Sequence, residues 1–327
     1  MPNRSDIHID KALTNISVKY MQDESNFIAG QVFPMVPVKK QSDRYFVYLR
    51  EDWFRDDAQE RAPGTESAGG DYEIDNTPTY FCRKYAYHKD VYEEDRVNAD
   101  DPLTPDEDAV AFVTDKILLN KENNWARTFF KKGVWGTDYV GAATASAGKI
   151  VYWDDYTNST PIEDMTKFAT DMAEVTGKRP NTLVMGRRAY DALKNHPDFL
   201  DRVKYTQKGV VTKDLIAEMF DVERVLIANA IQNTAKKGQE ADMSFILGNH
   251  LLLCYTTNAP KLKTATAGYT FVWTGLMGSN ALGGRINRFS MPMLGIGTER
   301  IEIELAYDMK VVAADMGIFV ENAVQPA

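Results

Sequence analysis

LTPDEDAVAFVTDKILLNKENNWARTFFKK, residues 103–132, holds no glycine, and its one proline stands near the front. It reads as a single long helix. Thr104 is the expected N-cap and Pro105 sits at the tolerated first helical position. Asp106, Glu107 and Asp108 put negative charge where the helix dipole is positive. Lys131 and Lys132 are expected in the last turn, with Gly133 as a left-handed stop. At ~1.5 Å per residue the stretch makes a rod of about 45 Å, longer than one small core uses. Its polar middle, Asn120 to Asn124 with Lys121 and Glu122, predicts a face left in water.

On the N-terminal side of the rod, the interval from Val38 to Tyr92 reads as a long two-stranded excursion. RYFVYLR (44–50) and TYFCRKYAYHKDVY (79–92) are rich in aromatic and branched residues and predict strands. Between them, RAPGTESAGGDYEID (61–75) holds Pro63, Gly64, Gly69 and Gly70, residues suited to a chain turning back. An isolated ribbon of this kind is marginal in water, so its partner is expected on another subunit. Residues 1 to about 33 carry apolar side chains too sparse for a core of their own (Ile16, Val18, Tyr20, Phe27, Ile28) and predict an arm lying on something else.

On the C-terminal side, GTDYVGAATASAG (136–148) lacks periodicity and predicts a loop. A helix from Pro161 follows, with Met165, Phe168, Ala169, Met172 and Val175 at helical spacing and Gly177 as its stop. The strand PNTLVMG, helices over 187–195, 196–203 and 212–220, and the strand VERVLIAN complete an α/β unit. From Met243 the chain turns to strands: MSFILG, HLLLCYT, GYTFVWTG, RINRFS, ERIEIELAY, MKVVAAD and GIFVEN. The whole is an α+β chain.

Composition narrows the function. With 327 residues, 44% hydrophobic and 11% aromatic, the chain can bury a substantial core and is long enough for two domains. A formal net charge of −9 argues against a surface built throughout for nucleic acid. Two cysteines, Cys82 and Cys254, far apart, suggest neither a disulfide framework nor a thiolate metal site. No signal-peptide pattern or membrane-length apolar run is present, and a soluble protein made in the cytoplasm is expected.

Motifs for chemistry fail on spacing. GAATASAGKI (141–150) has six residues between its outer glycines instead of four, and Ile150 stands where a phosphate loop needs Ser or Thr. The acidic run 93–101 lacks the alternation and glycine of a calcium loop. His8, His88, His196 and His250 form no metal-binding pair, Gly278-Ser279-Asn280 is no nucleophile elbow, and Gly295-Ile296-Gly297 lacks the third glycine of a dinucleotide fingerprint. Lys131-Lys132, Lys236-Lys237 and Arg285 with Arg288 read as parts of a charge-balanced surface. No catalytic residue, cofactor site or metal site is expected. A chain with a long ribbon, an arm and no site looks built to contact copies of itself.

VTDKILLNKENNWA (113–126) resembles the spine helix of tailed-phage major capsid proteins of the Hong Kong 97-type fold. The stretch from Asn15 to Pro37 is similar to that family's N-terminal arm. RPNTLVMGRRAYDALKNHPDFLDRVKY (179–205) and LIAEMFDVERVLIANA (215–230) resemble its axial domain, and KVVAADMGIFVENAV (310–324) its closing strand. The resemblance implies an N-terminal arm at 1–37 and an E-loop at 38–85. It implies a peripheral domain at 86–152 with 260–305, and an axial domain at 153–259 with 306–324. It further implies a coat protein, not an enzyme, that self-assembles as hexamers and pentamers into an icosahedral shell enclosing double-stranded DNA without sequence-specific contact. A separate scaffolding protein, a portal protein and an optional decoration protein would be its partners. The shell would be assembled in the host cytoplasm without a membrane. Intersubunit contacts are expected at Arg61, Pro63, Gly64, Glu66 and Asp71 in the loop tip and at Phe27 and Phe33 in the arm. An encapsulin-like bacterial nanocompartment shell is the alternative reading.

Overall fold

The computed structural model describes residues 22–48, 50–99, 103–203, 211–259, 264–277 and 284–326. Residues 1–21 of the expected arm lie outside these, as do Asp100, Asp101 and Gly278-Ser279-Asn280. The described chain begins with a single helical turn, α1 (Ala29–Val32), then β1 (Met35–Val38), β2 (Ser42–Arg44), β3 (Val47–Tyr48) and the short α2 (Arg50–Trp53). After a long tip it returns through β4 (Ile74–Asp75), β5 (Thr79–Phe81) and β6 (Arg83–Val91). Next come α3 (Glu93–Asn98), the spine helix α4 (Pro105–Phe129), β7 (Thr137–Ala142) and β8 (Lys149–Val151). The α/β stretch comprises α5 (Pro161–Thr176), β9 (Thr182–Gly186), α6 (Arg187–Lys194), α7 (Pro197–Val203), α8 (Lys213–Met219) and β10 (Arg224–Ala228). A hairpin of β11 (Ile231–Asn233) and β12 (Met243–Phe245) precedes β13 (Leu251–Cys254), β14 (Gly268–Trp273) and α9 (Thr274–Met277). The chain closes with β15 (Gly284–Ser290), β16 (Glu299–Val311) and β17 (Gly317–Glu321).

Two sheets organise these elements. In the first, β16 is central: β6 pairs antiparallel along one edge, while β15 and then β14 pair antiparallel along the other, and β1 adds parallel to β14. The second runs β10-β9-β13-β17-β7-β8. The side-chain period of two divides each sheet cleanly. On β16, Ile301, Ile303, Leu305 and Tyr307 enter the core with Ala109, Val113, Ile117 and Trp125 of α4. Alternate residues form a polar face. There Arg300 grips Asp90 through two hydrogen bonds of 2.7 and 2.9 Å, and buried Glu304 is held by Lys84 and Arg285.

The second sheet is buried on both faces, which its near-continuous apolar strands require. Val184, Leu252 and Phe319 face the spine-helix core, whereas Leu183, Met185, Leu251, Leu253, Ile318 and Val320 face a second core under α5, α6 and α8. One sheet thus walls off two cores and mechanically joins them.

Several elements differ from expectation. The spine helix ends at Phe129, not in the lysine pair. Trp135 Nε1 donates to the Phe129 carbonyl at 2.7 Å and Gly133 N to Asp138 at 2.7 Å, so aromatic packing turns the chain inward before Lys131. Gly133 does adopt a positive φ of 83°, but beyond the helix. Thr104 is the N-cap residue, yet its hydroxyl donates to the Glu107 carboxylate at 3.1 Å instead of accepting a helix N–H.

The stretch 137–142, expected as loop, is strand β7, because Tyr139 and Gly141 alternate inward. A Cβ at Gly141 would overlap the Asn322 carbonyl oxygen, so the glycine that looked like a loop residue is what lets the strand approach. ERIEIELAY and MKVVAAD form one 13-residue strand, since Asp308 accepts from Phe81 N on the polar face without interrupting the ladder. The 44–50 strand breaks into two short strands and a helical turn. The second half of the ribbon leaves it altogether, because β6 belongs to the first sheet.

Two corrections concern the spine. Lys121 and Glu122, expected in water, are buried. Phe27 and Phe33, expected at a boundary with a neighbour, are buried in their own chain. Phe33 is 1% exposed, with its ring centroid 5.4 Å from Phe129, 6.2 Å from Trp125 and 6.3 Å from Trp135. The segment around α1 therefore lies on the spine helix of the same molecule.

Candidate functional site

Side chains positioned for covalent chemistry were sought first, and one cluster has the right cast. Ser159 Oγ lies 3.0 Å from His196 Nε2, and Asp198 Oδ2 lies 3.7 Å from His196 Nδ1. Its hydrogen bonds run the wrong way for a nucleophile. Ser159 Oγ donates to the Asp155 carbonyl at 2.6 Å, and His196 Nδ1 accepts from Asp198 N at 3.1 Å. The remaining ring proton then sits on Nε2 and points at the serine, so the imidazole cannot take the hydroxyl proton. Burial holds the His196 pKa below its usual value, consistent with a neutral structural ring. His250 is likewise buried, with Nδ1 accepting from Asn322 N at 2.9 Å. Both cysteine thiols are buried, and desolvation pushes each up to about 12, far from reactivity. Among the described residues no three His, Cys, Asp or Glu side chains converge as a metal site.

The surfaces are more informative. Beyond the short pairings β2 with β5 and β3 with β4, residues 54–73 are exposed throughout. Pro63 and Gly64 form the tip turn: Gly64 has φ of 84°, Thr65 N donates to the Ala62 carbonyl at 3.2 Å, and Arg61 Nε reaches the Thr65 carbonyl at 2.6 Å. Asp71 accepts from its neighbour Tyr72 N at 2.8 Å, and Glu66 is exposed. The five tip residues singled out from sequence thus share one exposed excursion. Residues 51–73 contain eight acidic and two basic side chains, a net −6 within the chain's −9. At the root, Tyr48, Trp53 and Tyr72 stack mutually with centroids 5.7 to 6.1 Å apart while Trp53 and Tyr72 remain exposed, and Arg50 pairs with Asp315.

Two features escaped sequence reasoning. Glu122, 0% exposed, turns Oε2 toward α1 and accepts from Ile28 N at 3.0 Å and Ala29 N at 2.8 Å, while Oε1 has no partner. It satisfies donors that the helical turn leaves open and ties the arm segment to the spine. Desolvation pushes its pKa up to about 7, against these two bonds and the neighbouring Lys121. Burial drives Lys121 downward in turn, and its ammonium sits 5.5 Å from the Tyr307 ring centroid. The second feature is the β15–β16 connection, whose MPMLGIG run (291–297) exposes Met293, Leu294 and Ile296. Apolar residues crowded into a turn were its sequence signal, overlooked while Gly295-Ile296-Gly297 was weighed only as a nucleotide motif.

Comparison with known proteins bears on these surfaces. Residues 151–267 match the family described as phage major capsid protein E. The chain is 27% identical over 320 residues to the major capsid protein of Pseudomonas phage JBD67, covering 97% of each. It is 29% identical over 234 residues to that of Burkholderia phage BcepMu, covering 68% of this chain and 69% of the relative. Among solved structures, a phage-related protein from Bordetella bronchiseptica RB50 superposes with a TM-score of 0.66 at 21% identity, covering 94% of both chains. The capsid structure of cyanophage P-SCSP1u gives 0.61 at 11% identity, covering 98% of this chain and 94% of that one. The SrpI encapsulin from Synechococcus elongatus PCC 7942 gives 0.56 at 11%, covering 97% and 96%. With sequence similarity to a phage coat protein and capsid-like architecture both running almost end to end, the chain is a tailed-phage major capsid protein of the Hong Kong 97-type fold.

Proposed function

We propose that the protein assembles as hexamers and pentamers into an icosahedral shell around double-stranded DNA, acting by association and not by catalysis. The carrying observation is the 54–73 excursion, an exposed, net-acidic tip on an aromatic root that contributes to neither core. Such a segment gains little in an isolated subunit and becomes useful when it lies on a neighbour.

In this reading residues 1–37 are the N-terminal arm, 38–85 the E-loop, 86–152 with 260–305 the peripheral domain, and 153–259 with 306–324 the axial domain. Arg61, Pro63, Gly64, Glu66 and Asp71 are the contact residues of the loop. A scaffolding protein and a portal protein assist assembly, a decoration protein is an optional addition, and the shell forms in the host cytoplasm. The chain's negative charge suits a wall that does not trap DNA. The encapsulin likeness is one of fold, whereas the end-to-end sequence similarity to a phage coat protein favours the viral reading over a compartment shell.

Replacing residues 61–71 by a short Gly-Ser linker tests the loop. The variant should keep the wild-type circular dichroism spectrum but fail to close shells in negative-stain micrographs. Normal closed shells would refute the role given to the tip.

A further inference from the structure

The connection between β15 and β16 carries the most exposed apolar side chains among the described residues: Met293 is 97% exposed and Ile296 89%. It is no slack loop. Leu294 N donates to the Met291 carbonyl at 2.9 Å, Thr298 N to the Gly295 carbonyl at 3.2 Å, and Met291 N to the Thr298 carbonyl at 2.9 Å. Its base is pinned from the side: Arg96 of α3 donates to the Gly297 carbonyl at 2.9 Å and binds Glu299 and, with two hydrogen bonds, Asp106 at the start of the spine helix. The result is a pre-ordered apolar knob on a stiff hairpin, which loses little conformational freedom on docking.

Its flanks are unlike. At Glu299, β16 has β6 on one side and β15 on the other. The β6 side runs directly into α3, which presents Glu93, Glu94 and Asp95, while the β15 side presents Arg288, 56% exposed. A surface with an apolar centre, one acidic flank and one basic flank complements a rotated copy of itself, because the acidic side of one subunit meets the basic side of the next.

We propose that residues 291–297 form a contact at which copies of this chain meet around a rotation axis. Met293, Leu294 and Ile296 gather at the centre, and the α3 acids of each subunit lie beside Arg288 of the next copy. This rests on the chain's assembly into a shell and adds where, and by which residues, subunits cohere apart from the 54–73 loop.

Crosslinking tests it. Cys82 and Cys254 are both buried, so Ile296→Cys supplies the accessible thiol. Shells of this variant treated with a short bis-maleimide should yield covalent dimers on a denaturing gel, and dissociated subunits at the same protein concentration should not. Met293→Asp with Ile296→Asp, both at exposed positions, should leave the subunit folded and raise the protein concentration needed for assembly at least about tenfold. Ile296→Cys shells that give only monomer, or normal assembly of the double variant, would overturn the knob contact. Failure of the wild-type chain to form any shell would overturn the assembly reading beneath it.

Discussion

Replacing Glu122 by glutamine should stabilise the subunit in alkaline solution and leave it nearly unchanged in acid. The wild-type carboxyl, wholly buried and with Oε1 unpartnered, titrates near 7 in the folded chain instead of the ordinary 4.5. Between those values the folded state holds a proton that the unfolded state has released. Stability is therefore full below about pH 4.5 and falls as pH rises through 7. At ~1.4 kcal/mol per pH unit the loss amounts to about 3 kcal/mol. Glutamine retains an oxygen for Ile28 N and Ala29 N and carries no charge, so it escapes the loss. Urea unfolding of dissociated subunits, followed by the fluorescence of Trp125 and Trp135 in the adjoining core, should show Glu122→Gln close to wild type at pH 4.5 and about 2 to 3 kcal/mol more stable at pH 8.5. Glu122→Ala, by contrast, strands two buried amides at ~1–3 kcal/mol each and should speed hydrogen exchange at Ile28 and Ala29 at acid pH. The same Glu122→Gln difference at both pH values would refute the argument.

Phe33→Ala should cost about 3 to 5 kcal/mol in the same unfolding assay, since it empties a site enclosed by Trp125, Phe129 and Trp135. A loss below about 1 kcal/mol would mean that the arm segment is not seated on its own spine. Gly141→Ala should abolish soluble expression or lower the thermal midpoint sharply, because the added methyl collides with the Asn322 backbone where β7 meets the chain end. A wild-type midpoint would show that the strands can part without penalty.

How far the fold could be read from sequence depended on whether its signals were local. Thr104, Pro105 and the acids after them mark the start of the spine, and Gly177, with φ of 66°, ends α5 where expected. Those signals act within one or two turns. The errors arose where distant chain decides. Nothing near Lys121 or Glu122 reveals that α1 would cover them, because the donors they meet lie more than ninety residues earlier. Gly141 reads as flexible until Asn322 is beside it, and β7 is a strand because β17 pairs with it. The exposed loop residues Arg61, Pro63, Gly64, Glu66 and Asp71 were legible because turn chemistry needs no partner. The 291–297 knob was missed because its marker, exposure of apolar side chains, is not a property of sequence.

The position of β16 and β17 also fixes the timing of folding during synthesis. Asp90 must wait for Arg300, 210 residues later, and β6 has no strand neighbour among the described elements until β16 emerges. In the second sheet β7 and β13 stand apart until β17 is threaded between them. A ribosome that stalls or terminates before about residue 320 thus releases a chain with both sheets open and the two cores unsealed from each other. Such fragments expose apolar strand edges for quality control to remove, and only finished chains bring a rigid spine and a clamped hairpin to a growing shell.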